Sequence, residues 1–173
     1  MSIFGKDQRQ SLESTPLFTK EGTPQFIVYV ACRSEDESCS TVHKIFSEWT
    51  GERRIRLHLV DEDDAVFTGR PRSSDKAIDK PYRLALQIKP LVVPSFSQFR
   101  GGMYATGNYD RPRVGYRADV YVVDAATSTV IQKLPIHQEV TTNPDDKANP
   151  YIEAEMVRLI ASLDPTYPFP KSK

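Results

Sequence analysis

A short apolar run, PQFIVYVAC, places the strongest constraint on how this chain can fold. Every residue from Phe26 to Val30 is β-branched or aromatic, so neither side of a strand built from them would be polar. Such a run predicts a central strand that is buried on both faces. The expected fold is therefore organised around a sheet whose inner strand begins near residue 26.

A helix and a second strand are predicted directly after this strand. The helix covers about residues 39–50, with Ser38 or Ser40 as its cap and Gly51 at its end. Its apolar stripe comprises Val42, Ile45, Phe46 and Trp49. The segment IRLHLVDEDD then alternates apolar and polar residues, which predicts a strand that runs into an acidic turn.

The second half of the chain has the pattern of an antiparallel meander closed by a helix. The stretch YRLALQIKPLVVPSFSQF is extended, but Pro90 and Pro94 lack backbone donors. It is therefore an edge strand, a bulged strand or two pieces, and we favour a bent strand. Two further strands are joined by a turn over 124–128, and NPYIEAEMVRLIASL predicts a helix capped by Asn149 with Pro150 in its first turn.

These elements predict an α/β fold of the α+β kind: a single mixed, mostly antiparallel sheet with helices packed mainly on one face. We expect one domain over residues 25–163. Residues 1–24 are mostly polar without a helical or strand period, and residues 164–173 read DPTYPFPKSK. We expect these two ends to be a flexible N-terminal tail and a Pro-rich C-terminal tail.

The charge balance disfavours two classes of partner. The chain has 23 basic and 23 acidic side chains, so no net field attracts nucleic acid or an anionic membrane surface. No stretch reaches the roughly 20 apolar residues that a membrane span needs. Residues 1–20 also lack the apolar core of a secretion signal. We therefore expect no nucleic acid partner and no integral membrane segment, while the compartment stays open.

The two cysteines, Cys32 and Cys39, lie in the segment YVACRSEDESCS. Their spacing is wider than that of a dithiol exchange motif, in which both sulfurs sit at one helix start. A structural disulfide and two unpaired thiols are the main alternatives. A thioredoxin-like redox role for Cys39 also stays open, because the dipole at a helix N-terminus lowers a thiol pKa.

Other polar residues do not assemble into a recognisable catalytic or metal site. Asp61–Asp64 lack the alternate spacing and the glycine of a calcium loop, which favours a solvated turn. Cys39 and His43 would need two further ligands to hold zinc. His137 and Glu139 share a strand face, but no nucleophile motif accompanies them. We therefore expect no catalytic residue, no metal and no cofactor.

The segment RGGMYATGNYDRPR is the strongest candidate for a partner-binding surface. It mixes arginine and tyrosine in a glycine-rich connection, and these residue types are enriched in protein interfaces. The candidate partner-binding residues are Arg100, Tyr104, Tyr109, Arg111 and Arg113. A mobile hairpin with ordinary surface residues is the alternative interpretation.

Three segments carry a family resemblance: YRLALQIKPLVVPSFSQF, YRADVYVVDAATSTVIQKL and NPYIEAEMVRLIASL. Together they resemble, over about residues 82–163, the small α/β domains of bacterial envelope proteins of the TolB amino-terminal and CsgG kind. The matching turn residues are Asp124, Ala125, Thr127 and Val130, whereas Ser128 stands where a glycine is usual. The resemblance implies a non-enzymatic, lipoprotein-like envelope or secretion component that acts through protein contacts. No catalytic residue is carried over from it.

The sequence thus predicts a non-enzymatic protein-interaction domain. It would bind other protein subunits or copies of itself, through an exposed sheet edge or through the arginine- and tyrosine-rich segment. We expect a periplasmic or envelope-associated location if the resemblance holds and a cytoplasmic one otherwise. The alternative function is a thioredoxin-like, thiol-dependent redox protein that uses Cys39.

Overall fold

The computed structural model describes residues 3–34, 36–70, 80–93, 112–143 and 145–167. Within these ranges five strands form one sheet. The strands are β1 (Phe26–Cys32), β2 (Leu57–Leu59), β3 (Tyr82–Val93), β4 (Arg113–Asp124) and β5 (Thr129–Thr141). The α-helices are α1 (Lys6–Glu13), α2 (Ser38–Arg53) and α3 (Ala148–Leu163), and a short 3₁₀ helix covers Ala65–Thr68.

The strand order β2-β1-β3-β4-β5 confirms the predicted mixed sheet. β1 is parallel to β2 and β3, whereas β3, β4 and β5 form an antiparallel meander. All three α-helices contribute to the larger apolar cluster on one face of the sheet. The predicted fold class, with helices mainly on one face, is therefore confirmed. Within the described ranges, no helix is both long and apolar enough to cross a membrane.

β1 is an inner strand that is buried on both faces, as its apolar run predicts. Phe26, Val28 and Val30 point into the cluster that contains α2 and α3. Ile27 and Tyr29 point into a smaller cluster on the other face, which the 3₁₀ helix completes. Successive side chains of a strand point to opposite faces, so the even-numbered residues enter one cluster and the odd-numbered residues the other.

The two ends of α2 differ from those predicted. Asp36 Oδ1 accepts the Ser38 N–H at 2.9 Å, and Ser34 Oγ accepts the Cys39 N–H at 3.3 Å. These side chains satisfy amide groups of the first turn, a task that the sequence assigned to Ser38 or Ser40. At the other end Arg54 adopts the left-handed conformation with φ 56°, so Gly51 lies within the last turn.

Pro90 lies in β3, which is an inner strand along most of its length. β1 pairs with β3 only as far as the Cys32–Ile88 position, while β4 continues to pair with β3 at Pro90. Pro90 is therefore tolerated because it lies beyond its last β1 neighbour, where a donor toward that side has no ladder partner. Pro94 lies outside the described residues.

The edges of the sheet are β2 and β5, and both are poor templates for an added strand. β2 has three residues. β5 contains Pro135, whose carbonyl accepts a hydrogen bond from Gln8 Nε2 of α1 at 3.1 Å. Gln132 Nε2 donates to the Ser11 carbonyl at the same edge. A short edge, a proline and a covering helix each discourage strand addition at β2 and β5, while the use of an exposed sheet edge stays a prediction.

The N-terminal segment is folded onto the domain, although the sequence predicts a flexible tail over residues 1–24. Phe4, Leu12 and Leu17 are buried in the larger cluster, and the Ile3 N–H donates to Ser162 Oγ of α3 at 2.9 Å. These apolar side chains are isolated in polar sequence, so no period marked them. Their burial depends on tertiary contacts, which a local sequence pattern does not predict.

Asp164 anchors the end of α3 and is fully buried. Its Oδ2 accepts hydrogen bonds from Trp49 Nε1 at 2.8 Å and from Arg53 Nε at 2.9 Å. Arg53 Nη2 also donates to the Gly22 carbonyl at 2.8 Å. One carboxylate therefore connects α2, α3 and the N-terminal segment. Of the predicted Pro-rich tail over 164–173, residues 168–173 lie outside the described residues.

Candidate functional site

The candidate site lies on the face of β3, β4 and β5 opposite the α-helices, hereafter the open face. Alternation along β3 and β4 turns their odd-numbered side chains toward it. A groove of about 610 Å³ runs across this face. Its polar lining residues are Arg33, Glu62, Gln87, Lys89, Arg117, Asp119 and His137.

The 3₁₀ helix covers one end of the open face and leaves the other end accessible. Val66 and Phe67 of this helix pack on β1 and β4, and the ring centroids of Phe67 and Tyr121 are 5.2 Å apart. Farther along the strands the side chains of Lys89, Arg117 and His137 are exposed. No helix of the described part of the chain packs over them.

Four basic side chains are aligned across the strands in this accessible part. Lys89 of β3 is directly opposite Arg117 of β4, and Arg117 is directly opposite His137 of β5. Arg33 continues the line on the other side, because its N–H bonds the Ile88 carbonyl next to Lys89 at 3.2 Å. Hereafter the cation row denotes Arg33, Lys89 and Arg117 together with His137, which carries a charge only when it is protonated.

Neither central member of the cation row, Lys89 or Arg117, forms an ion pair with a described residue. Among the described residues, no carboxylate lies within 4 Å of Lys89 or Arg117. Arg33 is 3.7 Å from Glu62, but the Arg33 side chain is 78% exposed, so the pair contributes little. His137 is 3.6 Å from Glu139. Like charges directly opposite each other in a sheet are destabilising, so the alignment of Lys89 with Arg117 lowers the stability of the ladder.

Gln87 fixes the boundary between the covered and the accessible parts of the open face. Its Oε1 accepts the Tyr121 hydroxyl at 2.9 Å, and its Nε2 donates to the Glu62 carbonyl at 2.9 Å. The loop after β2 is thereby tied to β3 and β4. These bonds hold the groove wall on paired strands, so the backbone positions from which the basic side chains project are fixed.

The two cysteines lie on the helical side of the sheet, where Cys32 packs against the larger apolar cluster. The Sγ atoms of Cys32 and Cys39 are bonded, with Cα atoms 5.7 Å apart. The bond joins the end of β1 to the first turn of α2, immediately before Arg33 of the cation row. A hydrogen bond from Ser38 lowers the pKa of Asp36, which keeps this short connection anchored through a carboxylate.

Of the predicted partner-binding residues, the structure places one. Arg113 begins β4, is exposed, and its Nη1 lies 3.6 Å from Glu139 Oε2. Arg100, Tyr104, Tyr109 and Arg111 lie outside the described residues. The predicted set therefore stays a prediction, and the cation row is a second candidate surface.

The acidic turn Asp61–Asp64 has a structural use. Asp64 Oδ1 accepts the Val66 N–H at 3.0 Å, which caps the 3₁₀ helix. Glu62 contributes to the groove. Among the described residues, no three His, Cys, Asp or Glu side chains are grouped so that they could hold a metal ion.

No family model and no curated protein matches the sequence. Similar solved structures include the PelC dodecamer from Paraburkholderia phytofirmans, which is 10% identical with a TM-score of 0.47 and coverage of 81% of this chain and 87% of that chain. A hypothetical protein from Chlamydia trachomatis is 11% identical, with a TM-score of 0.46 and coverage of 80% and 92%. The lipoprotein GNA1162 from Neisseria meningitidis is 11% identical, with a TM-score of 0.38 and coverage of 80% and 99%.

Several similar structures are bacterial lipoproteins. With TM-scores below 0.5 these likenesses carry no argument about function.

Proposed function

We propose that this chain is a non-enzymatic protein-interaction domain that docks onto a protein subunit through its open face. The observation that carries the proposal is the direct alignment of Lys89 with Arg117 on adjacent strands. Such an alignment costs folding stability. Functional surfaces are often less stable than they could be, because stability and activity trade off. Binding a partner that supplies the missing counter-charge would offset the cost.

The geometry also favours the open face over the sheet edges. β2 is short, and β5 is partly covered by α1 and interrupted by Pro135. The side chains of the open face, by contrast, project from three long, consecutive antiparallel strands. Binding residues on regular strands are held more precisely than residues on loops. Docking through the face therefore requires little ordering of the free protein.

We further propose that the domain works in an oxidising compartment of the bacterial envelope, as part of a secretion-type or lipoprotein assembly. The bond between Cys32 and Cys39 supports this location, because disulfides persist outside the reducing cytosol. Trapping free thiols with a mass-tagged maleimide in intact cells tests it. An unmodified pair before reduction is expected, and two tagged cysteines without a reducing agent would contradict an oxidising location.

Site-specific photo-crosslinking tests the docking surface. A photoreactive amino acid replaces Pro135, which is exposed in the groove. A matched control replaces Lys44, which is exposed on α2 on the opposite side of the sheet. We expect one discrete crosslinked protein, identified by mass spectrometry, from position 135 and its loss when Arg117 is changed to Glu. Equal products from both positions, or none from position 135, would overturn the proposal.

A further inference from the structure

We propose that the cation row receives an acidic segment of a partner protein, a run of Asp or Glu side chains laid across β3, β4 and β5. This inference rests on the proposed docking function and adds the chemical class of the docked segment. It follows from the spacing of the row, from its missing counter-charges and from the acids that flank it.

The spacing of the cation row suits an extended chain of carboxylates. Neighbouring strands lie about 4.8 Å apart, so a row that crosses four strand positions is on the order of 14 Å long. Cβ atoms of directly opposed residues such as Lys89 and Arg117 lie about 5 Å apart. Same-face side chains of an extended segment recur about every 6.6 Å, which is wider than this spacing. The long Lys89 and Arg117 side chains can splay by the difference and meet successive carboxylates, and Arg117 can bind one in the bidentate manner that guanidinium groups favour.

The flanking acids restrict what can occupy the row. Glu62 and Asp119 line the groove on one side of it, and Glu139 lies next to Gly115 on the other side. A broad polyanion such as a nucleic acid duplex or an anionic membrane would bring negative charge against these carboxylates. A single acidic segment that follows the row avoids them. The flanks therefore favour a narrow protein segment.

Charge also argues against a second copy of this chain lying face to face on the first. Such a contact would bring the unpaired Lys89 and Arg117 of each copy toward those of the other. Like charges that face each other across an interface weaken binding, which disfavours this self-association. An acidic segment from a different protein instead supplies the counter-charge that the described chain does not place beside these two residues.

Peptide binding tests the inference directly. The probe is a fluorescein-labelled decapeptide of alternating Glu and Ser, compared with the same peptide carrying Gln for Glu, and anisotropy is measured with the full chain. We expect the Glu peptide to bind at least about 10-fold more tightly than the Gln peptide, since a few charge contacts of this kind are worth over 1.4 kcal/mol in total. Affinity should fall as salt rises from low to physiological ionic strength.

Two double variants distinguish binding at the cation row from a general effect of net charge. Lys89→Gln with Arg117→Gln should weaken Glu-peptide binding about 10-fold or more, because both unpaired cations are removed. Lys44→Gln with Lys147→Gln removes the same charge from exposed positions on and next to the helices and should leave affinity within about 2-fold. Cooperative thermal unfolding of both variants, with a midpoint no lower than that of the parent protein, establishes that each one folds; removing the opposed charges of Lys89 and Arg117 should raise the midpoint slightly.

Each outcome decides the inference. Equal binding of the Gln peptide, equal weakening by the two double variants, or tighter binding of single-stranded DNA or anionic vesicles than of the Glu peptide would overturn it. If position 135 crosslinks a protein while the Glu peptide fails to bind, the docking function stands and the acidic class is refuted. A crosslinked homodimer from position 135 would also refute it, because the occupant would then be a second copy.

Discussion

Replacing Asp164 with Ala tests how far one buried carboxylate holds the domain together. Asp164 is fully buried and accepts hydrogen bonds from Trp49 Nε1 and Arg53 Nε. Removing one partner of a buried ion pair costs about 3–5 kcal/mol. The Arg53 side chain is 17% exposed, so water can partly replace the lost carboxylate, which favours the lower end of that range. We therefore expect the free energy of unfolding to fall by about 3 kcal/mol.

Urea denaturation followed by tryptophan fluorescence measures this loss. Trp49 is the one tryptophan in the chain, so the signal comes from a direct partner of Asp164. For a chain of this size, about 3 kcal/mol also corresponds to a decrease of roughly 6–12 °C in Tm. Asp164→Asn should cost less than Asp164→Ala, because the amide oxygen can still accept the indole N–H.

Two controls make the result decisive. Asp145→Ala removes an exposed carboxylate and should change stability by no more than about 0.5 kcal/mol. A double-mutant cycle of Asp164→Ala with Arg53→Met should give a coupling energy of at least about 1 kcal/mol. A loss below about 1 kcal/mol for Asp164→Ala, or additive effects in the cycle, would refute the reasoning.

Three further predictions concern other parts of the fold. Replacing Cys32 and Cys39 with Ser should lower the free energy of unfolding by about 2–3 kcal/mol in non-reducing urea titrations, because their short closed loop is released in the unfolded state; no difference would show that the bond does not contribute. Gly115→Ala should lower the Tm of the purified protein, because the added Cβ would meet the Gln138 carbonyl. An unchanged Tm would contradict this close approach of β4 to β5. Burial lowers the pKa of His43 below its usual 6.5, so its contribution to stability is present above pH 6.5 and is lost as pH falls through the folded-state pKa. His43→Gln should therefore flatten the decline in stability measured between pH 7 and pH 5, and an unaltered slope would contradict it.

Local pattern was sufficient to predict most of the fold. The apolar run around Val28 identified the inner strand, and the stripe that includes Phe46 and Trp49 identified α2, because both signals depend on neighbours in sequence. The left-handed Ser128 closes the turn between β4 and β5 with φ 52°, at the position where the resembled family usually has glycine. The sequence did not predict that Pro90 lies in a long inner strand. Its place there depends on where the neighbouring strand β1 ends, and the residues of β3 do not show that.

The cation row could not be predicted, because it depends on register between strands. Lys89, Arg117 and His137 are distant in sequence and become neighbours only through the pairing of β3, β4 and β5. A partial signal was present, since each of these three strands carries polar residues at alternate positions toward one face. That signal predicts an accessible face, but it does not say which charges will lie opposite each other.

The parallel pairing of β1 with β3 has a consequence for the order of folding. β3, β4 and β5 are consecutive antiparallel neighbours, whereas Phe26 of β1 must find Tyr82 of β3 across a long intervening chain. Because distant contacts form slowly, we expect the meander to assemble first and the segment with β1 and α2 to join it late. Until β1 joins, the backbone of Tyr82–Ile88 is unpaired on the side that later faces β1. The partly folded chain that contains only the meander is therefore the form most prone to aggregate.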